Sequence, residues 1–332
     1  MRILMTSDRC GGVGRHAQTL TAELRRRGHE VTLYTPRLFE WMSERTPETL
    51  AAAIAEDRRA LAQLAHRHGC DCLHTNHFAF AGALDCPTVL GVHSDVVSWW
   101  RHMQGALPPE NQFHRWYRAL VEAALGRARR VVAPSRQVLD DLSASYGFNG
   151  GSVIANGSAR ADGAGETVKH PQAVSVGRWR DPAKQLDLVL RSTLAWPLRL
   201  IGEWPKPRPE PKRNLEHCGP RTPVEVARAL LCSSVYIAPS RYEPFGLAPL
   251  EAAHAGCALL LNDIPSFREI WGPHAVYFKP NDASDLSRQM AALAAAPDRC
   301  AQYGRAAWRH ARHHYTAEQM AVGYECVYRE LS

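Results

Sequence analysis

Lysine is scarce in this chain. Of 40 basic residues only five are lysine, at positions 169, 184, 206, 212 and 279, and the other 35 are arginine. The formal charge of +7 and pI near 9.0 direct attention to anionic partners such as phosphates, nucleic acid or an acidic membrane surface. No nucleic-acid recognition motif accompanies that charge, so nucleic acid is set aside as a partner. Long apolar runs are also missing: nothing approaches the roughly 18 uninterrupted residues of a spanning helix. The start, MRILMTSDR, has no cleavage-site pattern, so a soluble chain without a signal peptide is expected. Nine cysteines include no C-x-x-C pair, which argues against a disulfide framework and for reduced thiols in the cytoplasm. His74 and His77, like His310, His313 and His314, lack an acidic or thiol partner pattern, and no metal site is expected from them.

What is present is a β/α alternation that runs through the chain and restarts halfway. Length alone allows two domains of roughly 150 residues. Ile3-Leu4-Met5 reads as a strand, GGVG as a turn, and Ala17 to Arg27 as a helix stopped by Gly28. Strands at Val31 to Tyr34, Cys72 to His74, Thr88 to Val92 and VVAPS follow, with helices between. After NGGSVIANGSARADGAGETVKHP, which reads as an interdomain linker, the runs AVSVG, LRLIG, VYIAP, ALLLN and AVYF repeat the pattern. The expected architecture is two doubly wound, Rossmann-like halves. Thr316-x-x-Gln319 resembles a capping box, and Met320, Tyr324, Val327 and Leu331 share one face of a last helix.

Three motifs stand at strand ends, where ligands of parallel sheets bind. In GGVGRH, glycines 11, 12 and 14 open a helix, but position 17 is Ala, so the dinucleotide fingerprint is incomplete and a ligand-free turn reads equally well. Arg178 and Lys184 flank the loop after AVSVG. Two cations there neutralise a diphosphate, although any such pair is more often merely solvated. In SRYEPFGLAPLEAAHAG, Phe245, Gly246 and Leu247 begin a helix whose free N–H groups suit phosphate or sugar hydroxyls. Glu243 precedes that start and Glu251 lies about two turns on. Singly they read as a cap and a surface residue; as a spaced pair at a strand end they read as a site.

In this combination the chain resembles the retaining glycosyltransferases of family 4. The E-x7-E element EPFGLAPLE, the Arg/Lys pair in GRWRDPAK, GGVG, VVAPS, VIANG and REIW occur in family order over nearly the whole chain. The resemblance implies the GT-B fold, two Rossmann-like domains facing across a cleft. An acceptor-side domain would span residues 1–165, completed by a helix at 316–332, and a donor-side domain residues 170–315. It implies transfer of a hexose from a UDP- or GDP-linked donor to a hydroxyl on a glycan, lipid-linked sugar or small metabolite, with retained configuration and no required metal or other cofactor. Arg178 and Lys184 would bind the diphosphate, Glu243 the transferred sugar with the amides of Phe245, Gly246 and Leu247, and Glu251 the ribose. Gly11 and Gly12 would approach the donor phosphates. His93, in VLGVHSD, would face the sugar, although a lone histidine is more commonly a satisfied core residue. Donor-base contacts are expected around Gly219 to Thr222.

The sequence departs from the family in places. Arg178 and Lys184 are six apart, one more than usual, so their loop is expected to bulge. Gln185 stands where glycine is common and Ala258 where proline is common. Trp99, Trp100, Arg101, Arg115, Trp116, Tyr117, Arg118, Arg127, Arg129 and Arg130 form an aromatic and basic region, read either as a peripheral contact with the inner membrane face or as a partly solvated helix pair with buried aromatics. Two other functions compete. A nucleotide-cofactor enzyme such as an epimerase or dehydrogenase explains GGVG, but VTLYTP ends its strand without the ribose-binding acid. A non-catalytic sugar-binding protein would need the anion-binding residues lost, and they are present.

Overall fold

Ile3, Leu4 and Met5 are almost wholly buried. A run that is apolar on both faces suits a central strand of a parallel sheet, covered on each side by helices. In the computed structural model, which describes residues 1–37, 46–158, 168–206 and 212–331, that run is β1 (Arg2–Thr6). It is joined by β2 (Glu30–Tyr34), β3 (Cys72–Thr75), β4 (Thr88–Gly91), β5 (Arg130–Ala133) and β6 (Ser152–Val153) in the order β2-β1-β3-β4-β5-β6, all parallel. Helices α1 (Gly11–Arg26), α2 (Pro47–His68), α3 (Val96–Gln104), α4 (Gln112–Arg127) and α5 (Arg136–Tyr146) connect them.

The local signals are legible. Helix α2 starts where the Thr46 side chain accepts a hydrogen bond from Thr49 N with Pro47 in the first turn, and stops at Gly69, whose φ of 56° is left-handed. Helix α1 begins at Gly11, six residues before the expected start at Ala17, so GGVG is the first helical turn and not a loop ahead of it. The reason is steric. A Cβ at Gly14 would lie 2.6 Å from the carbonyl oxygen of Asp8, so the missing side chain lets α1 rest directly on the loop leaving β1.

The second half repeats the plan with β7 (His170–Val176), α6 (Leu186–Arg191), β8 (Leu198–Ile201), β9 (Leu215–Gly219), α7 (Pro223–Cys232), β10 (Ser233–Ala238), α8 (Leu247–His254), β11 (Ala258–Asn262), α9 (Pro265–Trp271), β12 (Val276–Phe278), α10 (Ala283–Ala295) and α11 (Pro297–His314). Its parallel sheet has the order β12-β11-β10-β7-β8-β9. Strand β9 escapes a reading by hydrophobicity because LEHCG has one buried residue in five; it is an edge strand, paired on one side only. Fully buried Leu198, Leu200, Val235, Ile237, Ala258 and Leu260 form the core of this sheet with Leu286 and Met290 of α10.

The chain groups into two units, Met1–Gly157 with Ala317–Ser332, and Ser158–Thr316. The last helix, α12 (Ala317–Arg329), belongs to the first unit, where Met320, Tyr324, Val327 and Tyr328 pack with Leu20 and Leu24 of α1 and Leu331 lies against them. The apolar face read from the sequence is the one that is buried. Glu325 on α12 accepts hydrogen bonds from Arg27 at 2.8 Å and pairs with His29 at 2.9 Å; these partners hold its carboxyl at about 2. Of the expected linker, residues 159–167 lie outside the described residues, while Ser152–Val153 ahead of them form β6.

In each sheet the chain goes first to one side of its opening strand and then to the other. The order therefore reverses between β1 and β3 in the first unit and between β7 and β10 in the second. Such switch points leave a crevice at the carboxyl ends of the two strands, because their crossover connections go to opposite faces. Both are lined with polar residues.

Candidate functional site

At the switch point of the second unit, β7 ends at Val176 and delivers Gly177 and Arg178, while β10 ends at Ala238 and delivers Ser240 to Glu243. Arg178 is well exposed, its guanidinium 3.6 Å from Asp181. Asp181 also caps the following turn by accepting from Ala183 N at 3.0 Å, and this turn carries Lys184. The stem of Lys184 runs alongside Gly177, and its ammonium pairs with Glu243. Both partners are about four-fifths buried (20% and 18% exposed), so the pair is shielded far more than a surface salt bridge. Glu243 is held from several sides: Ser240 Oγ lies 3.5 Å from its carboxylate, and Ser266 Oγ donates to its backbone carbonyl at 2.6 Å.

The expected bulge in the Arg178–Lys184 loop takes the form of this capped 3₁₀ turn, Pro182–Lys184. It ends at Gln185 in the left-handed region, with φ 47° and ψ 50°, a conformation that glycine adopts without cost. Here the glutamine side chain offsets the strain. Its Nε2 donates to Asn281, and its Oε1 accepts from Asn262 Nδ2 at 3.2 Å. Asn262 also reaches the carbonyls of Pro239 and Ser240, at 3.4 and 3.1 Å, so one buried amide ties the Lys184 turn to the Glu243 loop. The hydrophobicity pattern carries no trace of this network.

Helix α8 opens at Gly246, whose φ of 92° requires glycine and whose added Cβ would meet Phe267 and Pro249 at 3.1 Å. No side chain caps this start, so the first amides of α8, from Leu247 on, have no capping partner. Phe245 is buried edge-on against Tyr315, 5.6 Å between ring centres. Glu251 lies on α8, half-buried. Thus Arg178, Lys184, Glu243, Phe245, Gly246, Leu247 and Glu251 all belong to one unit and cluster on the β7, β10 and α8 ends. Beside β8 and β9 a cavity of about 790 Å³ is lined by Arg180, Trp204, His217, Gly219 and Pro220, with the Trp204 and His217 rings 4.1 Å apart.

Gly11, Gly12 and His93 belong to the first unit. Gly11 is exposed at the start of α1, with φ 81° and no side-chain cap from Cys10. His93 Nε2 donates to Asn76 Oδ1 at 2.9 Å, and its ring lies 4.5 Å from that of His16. Burial pushes it down to about 4, so it is a neutral imidazole at physiological pH. Behind it, His74 is fully buried against Tyr324, bonded through Nδ1 to the Tyr328 hydroxyl at 2.6 Å, and pushed down to about 3. Burial and the neighbouring imidazoles lower His16 as well.

The switch point of the first unit holds residues that no motif marks. Asp8, just past β1, accepts from His77 Nε2 at 2.8 Å, and His77 Nδ1 meets Thr6 Oγ1 at 2.8 Å. Only the pairing of β1 with β3 brings positions 8 and 77 together, and no local sequence pattern records it. Asp8, Asn76, His77 and His93 line one side of a cavity of about 680 Å³; Trp99, Trp100, Phe113 and Trp116 line another. The aromatic residues of the 99–130 region therefore line this cavity, while Arg101 and Arg118 donate to the carbonyls of Ala144 and Ser145. Among the described residues no helix is long and apolar enough to cross a membrane, and no group of three or more His, Cys, Asp or Glu could hold a metal ion. His310 is stacked on His274, 4.3 Å between ring centres.

Comparison with known proteins identifies the family. Residues 10–158 match the model of Glycosyltransferase Family 4, and residues 209–310 that of Glycosyl transferases group 1. A lipopolysaccharide core biosynthesis mannosyltransferase, LpcC of Rhizobium leguminosarum bv. viciae, is 33% identical over 100 residues, 30% of this chain and 28% of that protein. The serotype-specific mannosyltransferase WbdA of Escherichia coli is 42% identical over 60 residues, 18% of this chain and 7% of that protein. The alignments thus span under a third of either relative. In fold, sucrose-phosphate synthase from Thermosynechococcus elongatus superposes with a TM-score of 0.81 at 18% identity, covering 100% of this chain and 99% of that one. Anabaena Alr3699/HepE, solved with UDP and glucose, gives 0.72 at 15% identity, covering 99% of each chain. With two Rossmann-like units and both family models, the chain belongs to the GT-B glycosyltransferases of the family 4 type.

Proposed function

We propose that the protein is a retaining hexosyltransferase that takes a sugar from a UDP- or GDP-linked donor without a metal ion and passes it to an acceptor hydroxyl. The observation that carries this reading is the largely buried Lys184–Glu243 pair beside the uncapped start of α8. With a donor bound, Lys184 turns to the diphosphate and Glu243 to a hydroxyl of the transferred sugar. Arg178, exposed at the end of β7, supplies the second cation. Glu251 takes the ribose hydroxyls, and the Trp204–His217 cavity takes the base. The donor-side residues are those of 170–315, the acceptor-side ones those of 1–165 with the helix at 316–332, and cytoplasmic nucleotide sugars supply the donor.

The bond between the anomeric carbon and the diphosphate oxygen breaks, its electron pair leaving with the diphosphate. The acceptor oxygen bonds to the same face of that carbon, and its proton passes to the departing phosphate oxygen. Positive charge fixed where negative charge grows lowers the barrier, because the cations are oriented before the reaction begins. Arg178, Lys184 and the α8 amides are those charges, which is why a metal is not needed. Burial keeps His93 neutral, so within its own unit it presents a hydrogen-bonding group and no charge.

Because LpcC and WbdA are named mannosyltransferases, mannose is the first sugar to test. Incubation with α-linked nucleoside diphosphate mannose in chelator, followed by proton NMR of the anomeric signal, should show an α-configured product first. A β-configured first product, or turnover that requires added divalent metal, would refute the proposal.

A further inference from the structure

The cavity of the first unit has a chemistry that narrows the acceptor. Its volume, about 680 Å³, falls within the ~300–1,000 Å³ of sites that enclose a small molecule. It is two-faced. One side is polar: Asp8, Asn76, His77 and His93 at the ends of β1, β3 and β4. The other is aromatic: Trp99 and Trp100 of α3, and Phe113 and Trp116 of α4. The rings brace one another, with Phe113 5.9 Å from Trp116 and Trp99 6.1 Å from Trp100 between centres, so this wall is preformed.

Charge is the discriminating feature. Among the described residues the lining includes two carboxylates and no lysine or arginine, although the chain as a whole carries +7. Asp95, one of the two, is consumed by capping α3: it accepts from Val97 N at 2.9 Å, Ser98 N at 3.0 Å and Tyr146 Oη at 2.7 Å. Asp8 is different. Its carboxylate is about a third exposed (32%), with one oxygen engaged by the His77 imidazole. A carboxylate has acceptor capacity beyond one bond, and it stands at the switch point where a ligand is expected. An anionic ligand would meet this carboxylate with no lysine or arginine among the described lining residues to compensate it; a hydroxyl would be held by it.

We propose that this cavity binds the acceptor, and that the acceptor is an uncharged amphiphile. Its hydroxyl-bearing head is held by Asp8, which His77 orients, and its alkyl or aryl body lies against Trp99, Trp100, Phe113 and Trp116. Free sugars lack the body, and lipids carrying a phosphate or pyrophosphate next to the sugar bring the wrong charge. Asp8 is a binding residue here; the acceptor proton still leaves with the diphosphate. The inference rests on the glycosyltransferase reading for the word acceptor, but the binding preference can be measured without any donor.

The test uses the full chain and tryptophan fluorescence at neutral pH, titrated with hexyl mannoside, methyl mannoside and hexyl phosphate. The neutral amphiphile should bind about ten-fold or more tightly than either of the others, since each lacks one of the two matched features. Trp100→Ala, at a partly exposed ring, should weaken hexyl mannoside about five-fold or more and leave methyl mannoside unchanged, whereas Asp8→Asn should weaken both mannosides. Circular dichroism verifies that each variant is folded, and Trp116→Leu gives a second aromatic deletion that keeps apolar volume. Equal binding of the two mannosides, preference for hexyl phosphate, or variants that bind as the wild type does would overturn the proposal. Nucleoside diphosphate binding in the same samples separates the two failures: diphosphate bound without the amphiphile sinks this inference alone, and no diphosphate binding sinks the glycosyltransferase reading.

Discussion

Acid should loosen the first unit through its buried histidines. His74 titrates at about 3 and His93 at about 4 in the folded protein, both lowered chiefly by burial, against 6.5 in an open chain. The unfolded state therefore binds more protons below pH 6.5, and stability is intact above that value and lost as pH falls toward the folded values. At about pH 5 an open-chain imidazole is roughly 97% protonated, and the two folded ones roughly a tenth or less, a cost of about 2 kcal/mol each and about 4 kcal/mol together. His16, also lowered by burial, adds in the same direction. This is a large part of the ~5–15 kcal/mol that holds a typical domain folded. Glu325, held at about 2, is separable, because its contribution is lost only below its open-chain value of 4.5. The assay is native-state hydrogen exchange read by mass spectrometry, corrected for intrinsic rates, on peptides covering β3 and α1. Opening free energy there should drop by about 4 kcal/mol between about pH 7.5 and about pH 5. In His74→Phe, which keeps a ring against Tyr324, the drop should shrink by about 2 kcal/mol. A pH-independent opening energy, or an equal drop in the variant, would refute the reasoning.

At Gln185, alanine should be less stable than glycine by about 1 kcal/mol in urea unfolding, because both lose the bonds to Asn262 and Asn281 but only alanine keeps the left-handed strain. Gly14→Ala should cost about 1–3 kcal/mol, since its Cβ meets the Asp8 carbonyl at 2.6 Å, whereas Gly126→Ala on α4, with open space around it, should stabilise by about 0.5–1 kcal/mol. Thermal unfolding of the two variants beside the wild type checks both signs.

Much of the fold and of the cluster at the β7, β10 and α8 ends was legible because both rest on local chemistry. The apolar runs that became β1, β4, β10 and β11 are buried on both faces and read directly as strands. Gly246 and the spaced glutamates mark a helix start that any reader of backbone sterics would stop at. The misreadings have physical causes. GGVG reads as a turn with the helix starting at Ala17 because glycine disfavours helix, yet packing of α1 on the Asp8 carbonyl outweighs that propensity. β9 carries too little buried surface to announce itself. Asp8 and His77 are 69 residues apart and meet only through the pairing of β1 with β3, so no spacing rule could have joined them. The aromatic residues at 99–117 were visible, but that they line a cavity follows from packing, not from pattern.

The most direct test of a diphosphate-binding centre at Arg178, Lys184 and Glu243 is calorimetric titration of UDP, GDP and ADP, each beside its monophosphate, into the wild type, Lys184→Ala and Arg178→Ala. At least one diphosphate should bind, about ten-fold more tightly than its monophosphate, and each substitution should weaken it by about ten-fold or more, the worth of one charge-assisted contact. Diphosphate affinity that neither substitution changes, or a wild type that binds none of the three, would contradict the assignment.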